Sequence, residues 1–160
     1  MARGTAPPAE KPGRRPDNPV DPAPWIAVTD ALLAYFDGLH HGDIDTLAQV
    51  FHPGAVYATA TEGHLLRLTL DEYLPVVSRR EPPVARREPR RDRIVSIEFA
   101  GPVTAMARVE CAIGPRHFTD FLTLVLVDGR WQIIAKVFHF ETAGVPAAPP
   151  MTTAAPRTED

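Results

Sequence analysis

Two hydrophobic rhythms run along this chain. In the first half, apolar residues return every three to four positions. Val28, Ala31, Leu32, Tyr35, Phe36 and Leu39 fall on one stripe of PWIAVTDALLAYFDGLHHG, the spacing of an amphipathic helix. Gly42 stops it. Asp43 then reads as an N-cap for a second, shorter helix through Ile44, Leu47, Ala48 and Phe51, closed by Pro53-Gly54. AVYATAT (55–61) and HLLRL (64–68) read as a strand and its return around Glu62-Gly63. Thr69 and Glu72 then form a capping-box pair ahead of Leu70, Tyr73, Leu74 and Val77, with Pro75 limiting or kinking this third helix.

In the second half the period drops to two. Strands are expected at 93–100, 103–113, 116–127 and 130–140, with turns at Gly101-Pro102, Gly114-Pro115 and Asp128-Gly129. Helices followed by a run of antiparallel strands is an α+β pattern. Residues 1–23 and 143–160 are rich in Pro and Ala, bury little, and are expected to be disordered tails. The folded domain is expected at 24–142.

Turn length fixes which side chains share a face. With two residues in the Asp128-Gly129 turn, Leu126 faces Trp131, Leu124 faces Ile133, Leu122 faces Ala135, Asp120 faces Val137 and Phe118 faces His139. With two in the Gly114-Pro115 turn, Cys111 faces Phe118, Val109 faces Asp120 and Ala107 faces Leu122. One apolar face then carries Asp120 and His139 as diagonal neighbours, with Cα atoms about 7–8 Å apart. An ionised Asp among apolar side chains needs partners, a cavity or a raised pKa. Asp120 and His139 are therefore the expected acid–base pair. A satisfied buried pair with no chemistry is the plain alternative. The opposite face carries Arg108, Glu110 and Lys136 but also Phe121, Val125, Val127, Ile134, Phe138 and Phe140. So much apolar surface outside predicts a homodimer through this sheet.

Composition narrows the partners. A formal charge of -3 does not suit strong nucleic-acid binding. The Arg- and Pro-rich run 79–93 reads as an anion patch, a phosphate clamp or a solvated loop, and its lack of aromatic residues argues against base stacking. Lys11 and Lys136 are the two lysines in a chain that otherwise uses Arg. Cys111 is the one cysteine and reads as an inert core thiol. The histidines match no zinc spacing, so no metal or other cofactor is expected. No apolar run is long enough to span a bilayer, and the N-terminus lacks the apolar core of a secretory signal; a cytoplasmic protein without membrane contact is expected.

Three segments, YFDGLHHGDIDTLAQVFHPGA, IVSIEFAGPVTAMARVE and FTDFLTLVLVDGRWQIIAKVFH, resemble the nuclear transport factor 2-like superfamily, and within it the SnoaL-like and lumazine-binding groups. The resemblance implies a cone: three N-terminal helices packed on a curved, mainly antiparallel sheet, with a pocket inside. It would place Asp120 and His139 in that pocket, lined by Tyr35, Tyr57, Thr59, Tyr73 and Trp131. It implies a cofactor-independent isomerase, cyclase or dehydratase acting on a small apolar carbonyl compound, or a binding domain with no activity. FHPGAVYAT departs from the ketosteroid isomerases, because Thr59 stands where their base would be. A water-using His and Asp pair of the scytalone-dehydratase type is the other mechanism implied.

Overall fold

The computed structural model describes residues 22–144. The tails expected at 1–23 and 143–160 lie, but for two residues each, outside the described residues. Helix α1 spans Ala23–His41 and α2 Ile44–Val50, followed by strands β1 (Phe51–Thr59) and β2 (Leu66–Thr69). Helix α3 (Leu70–Arg79) leads to β3 (Arg93–Phe99), β4 (Thr104–Ile113), β5 (Arg116–Val127) and β6 (Arg130–Thr142). The six strands form one unclosed sheet in the order β2-β1-β6-β5-β4-β3. Every adjacent pair is antiparallel except β1 and β6.

Local chemistry explains the helix ends. Asp43 accepts hydrogen bonds from the Asp45 and Thr46 backbone amides. Thr69 and Glu72 exchange the two bonds of a capping box, together stabilising the end of α3 by about 1 kcal/mol. A Cβ on Gly38 would meet Leu47 at 2.7 Å, so the lack of a side chain there lets α2 fold back against α1. The helical stripe, Val28, Leu32, Tyr35, Phe36 and Leu39, is buried with Leu47, Tyr73 and Val77 against Ala105, Ala107, Val109, Leu122, Leu124 and Ile133 of the sheet. The core is this single helix-to-sheet layer.

Two expectations about the strands need correction. Phe51 does not end α2; it opens β1, pairing with Ile133 in the parallel ladder, and Pro53-Gly54 lies within the strand. The β1–β6 register shifts between Phe51 and Val56, an irregularity that tolerates Pro inside a strand. The second correction concerns β6. The turn at Asp128-Gly129 has two residues, both at positive φ (50° and 73°), as a type I′ hairpin demands. The expected pairs Leu126–Trp131 and Leu124–Ile133 form. Ile134, however, has no partner on β5: after Leu124–Ile133 comes Thr123–Ala135, and then Leu122 pairs with Lys136, Asp120 with Phe138 and Thr119 with His139. One bulged residue reverses every later side chain. Lys136 and Phe138 turn inward and are buried; Val137 and His139 turn outward and are exposed. The β4–β5 pairs stand as expected, with Cys111 against Phe118 and Val109 against Asp120.

Candidate functional site

Asp120 sits on the inner face of β5 with no solvent exposure, and Tyr35 of α1 is equally sealed. The Tyr35 hydroxyl donates to Asp120 Oδ2 at 2.7 Å. Lys136, brought inside by the bulge and 3% exposed, donates to the Tyr35 oxygen at 2.6 Å and to Asp120 Oδ2 at 3.1 Å. Asp120 Oδ1 has no hydrogen-bond partner. The diagonal neighbour of Asp120 across the hairpin is thus a lysine, not a histidine. Burial, and then the Asp120 charge, push the Tyr35 phenol well above its ordinary pKa, so this hydroxyl stays a proton donor.

Lys136 also faces a cavity of about 130 Å³. The walls are aromatic: Tyr57 stacks on Tyr73 with ring centroids 4.4 Å apart and touches Phe138 at 4.6 Å, and Phe118 and Phe140 complete them. The Lys136 ammonium lies 4.8 Å from the Phe138 centroid and 5.6 Å from those of Tyr57 and Phe118, within reach of cation–π attraction. Thr59, Glu62, His64, Arg80, Cys111 and Arg116 also line the space. Burial raises the Tyr57 phenol to about 12 and the Cys111 thiol to about 12, which leaves Cys111 a poor nucleophile.

The structure brings Tyr57, Thr59 and Tyr73 to this cavity, with Asp120 and Tyr35 directly behind Lys136. It does not bring His139 there. His139 lies on the outer face, its Nδ1 3.2 Å from Thr61 Oγ1, in a separate depression with Arg91, His117 and Glu141. The expected Asp120–His139 contact is absent because of the bulge. Trp131 packs against Phe99 at 5.8 Å and does not border the cavity. Sequence reasoning missed Lys136 and Arg80. A signal for Lys136 existed: it is the one lysine of the folded region, set between the apolar residues Ala135 and Val137. Among the described residues, no group of three His, Cys, Asp or Glu side chains is placed to hold a metal ion.

A family model described as "Putative lumazine-binding" matches residues 24–139. The chain belongs to this family. The lumazine-binding-family domain shares its fold with solved structures of nuclear transport factor 2-like proteins. One, a protein of unknown function from Silicibacter pomeroyi, is 25% identical with a TM-score of 0.65, over 76% of this chain and 100% of that one. Another, from Shewanella baltica, is 22% identical with a TM-score of 0.69, over 79% and 100%. A ketosteroid isomerase-like protein from Erwinia carotovora atroseptica is 13% identical with a TM-score of 0.56, over 72% and 94%. The family domain therefore sits within the nuclear transport factor 2-like superfamily. The aldolase FrzH of a Cladobotryum species is 45% identical over 40 residues, 24% of this chain and 32% of that protein. No helix among the described residues is long and apolar enough to cross a membrane.

Proposed function

We propose that this protein is a cofactor-independent acid–base catalyst acting on a small carbonyl-bearing ligand, of the isomerase, cyclase or dehydratase type. The observation that carries this reading is Lys136: a buried ammonium that faces an aromatic cavity and is held from behind by Asp120 and Tyr35. Lys136 is suited to donate to a carbonyl oxygen as negative charge develops there, in a site already desolvated and oriented. Asp120 and the Tyr35 hydroxyl hold Lys136 in place, and His64, which lines the same cavity, is assigned as the base that takes the α-proton. His139, first expected in that role, has no place in the step. Carbonyl activation is compatible with the aldolase name of the Cladobotryum relative, which is matched over 32% of its length.

The test needs no known product. A panel of cyclic and aryl ketones is incubated with the protein in D2O, and loss of the α-proton signal is followed by NMR. Exchange accelerated by the wild type and abolished in folded Lys136→Met supports the catalyst. Ligand binding without accelerated exchange supports the second reading, a non-catalytic pocket for a heteroaromatic ligand. That reading is favoured by the complete sealing of Asp120 and Tyr35 from solvent and by the stacking surfaces of Tyr57, Tyr73 and Phe138.

We also propose a homodimer through the outer sheet face, where Met106, Phe121, Val127 and Val137 are exposed. Light scattering of Phe121→Arg should report a monomer where the wild type gives a dimer. The free Cys111 thiol suits a reducing compartment, and the cytoplasm is proposed on that ground.

A further inference from the structure

The cavity contains a cation, Arg80, that interacts with the Tyr73 phenol but has no anionic partner among the described residues. Arg80 caps the C-terminus of α3, its backbone amide bonded to the Val77 carbonyl, and its side chain lines the cavity. Both Nε and Nη2 are buried without a hydrogen-bond partner. The other charges of the site are matched. Lys136 has Asp120 at 3.1 Å, and Arg116 has Glu62 at 3.9 Å and lies over the Phe140 ring. No carboxylate among the described residues forms an ion pair with Arg80. Two neighbours in the Arg-rich run behave differently: Arg86 pairs with Glu88, and Arg90 with Asp37 and Asp92. Arg79, Arg87 and Arg91 form no ion pair among the described residues either but are exposed to water, so Arg80 differs from the rest of the run in having buried guanidinium nitrogens without a partner.

The two orphaned atoms identify what is missing. Nε and Nη2 form one edge of the guanidinium, two parallel N–H groups whose spacing matches the two oxygens of a carboxylate. Buried donors on a cation are costly to leave unmade, so the site is complete only with an acceptor present. Tyr57, Phe118 and Phe138 line the same cavity as Arg80 and Lys136.

We infer that the cavity takes an aromatic or unsaturated carboxylic acid, its carboxylate seated on the Nε–Nη2 edge of Arg80 and its body against Tyr57, Phe118 and Phe138. This rests on reading the cavity as a ligand site, and not on catalysis there. Under the catalytic reading the substrate is then a keto acid or an acid with a carbonyl further along, the acid group on Arg80 and the reacting carbonyl at Lys136.

The test is calorimetric titration at pH 7 with benzoate, trans-cinnamate and 2-naphthoate, each beside its primary amide, which keeps the shape and removes the charge. At least one acid should bind about ten- to a hundredfold more tightly than its amide, the range for a charge-assisted pair. Arg80→Met should erase that preference, and Arg80→Lys, which keeps charge but not the fork, should retain only part of it. Thermal unfolding of both variants shows that they are folded. Acids that bind no tighter than amides, or not at all, overturn the inference, as does a preference that survives Arg80→Met. Phenyl phosphate binding more tightly than benzoate would overturn it in favour of a phosphoryl ligand. Absent proton exchange with acid preference intact rejects the catalyst alone; equal binding of acid and amide with exchange intact rejects the Arg80 anchor alone.

Discussion

Replacing Lys136 by Met removes one half of a buried ion pair and leaves the other half stranded. Asp120 has no solvent exposure, its Oδ1 already lacks a partner, and only the Tyr35 hydroxyl would remain on Oδ2. With Nζ and Oδ2 3.1 Å apart and an effective dielectric constant of about 20, the lost attraction is about 5 kcal/mol. Part of that was offset by the cost of desolvating the ammonium. A net loss of about 3–5 kcal/mol is expected, a fall in Tm of about 10–20 °C for a domain of this size. Asp120→Leu should cost less, because Lys136 borders the cavity and can be hydrated there. The double variant Asp120→Leu/Lys136→Met strands no charge but leaves the buried Tyr35 hydroxyl without a partner, so it should be more stable than Lys136→Met alone and fall about 1–3 kcal/mol short of the wild type. Urea unfolding of the four proteins gives the coupling energy directly. A Lys136→Met cost below about 1 kcal/mol, or a double variant as unstable as the sum of the singles, would refute the ion pair as described.

The three tyrosines provide a test by absorbance. Burial raises all of them above their ordinary value, Tyr57 to about 12. A raised folded-state pKa adds stability that is fully present below the unfolded value, about 10. That stability is lost as pH climbs toward the folded value. Phenolate absorbance should therefore stay flat through pH 10–11 and rise only together with alkaline unfolding. Cys111, with its thiol raised to about 12 by burial and by the Asp120 charge, should resist iodoacetamide at pH 8 in the folded protein and react once urea unfolds it. Thr69→Ala breaks the capping box of α3 and should cost about 1 kcal/mol, measured by urea unfolding.

Much of this fold could be read from the chain because most of its signals are local. The stripe from Val28 to Leu39, the Asp43 cap and the Thr69–Glu72 box depend on neighbours a few residues away, and each sits where its spacing requires. The β4–β5 hairpin likewise obeys its turn. The site was half legible. Asp120 was found because a carboxylate among inward apolar positions must be accounted for. Its partner was misassigned because the bulge at Ile134 has no local mark: an Ile followed by an Ala looks like uninterrupted strand. What places the extra residue is the parallel ladder with β1, where Phe51 and Val56 pair with Ile133 and Ala135, a contact distant in sequence. Arg80 was hidden for a different reason. The seven arginines of the run look alike in sequence, and only packing shows that one of them, Arg80, lines the cavity.

The bulge has a consequence for how β6 tolerates change. It acts as a phase shift in an alternating code. Upstream of Ile134, odd-numbered residues such as Trp131 and Ile133 answer to the core; downstream, the even-numbered Lys136 and Phe138 do. A saturation scan of the strand would show two out-of-phase ladders of sensitivity meeting at Ile134. Deleting that single residue would close the bulge and leave Thr123–Ala135, Leu122–Lys136 and every later pair in their present frame, whereas keeping it and forcing it to pair with Thr123 would turn His139 toward the aromatic cavity and Lys136 toward water.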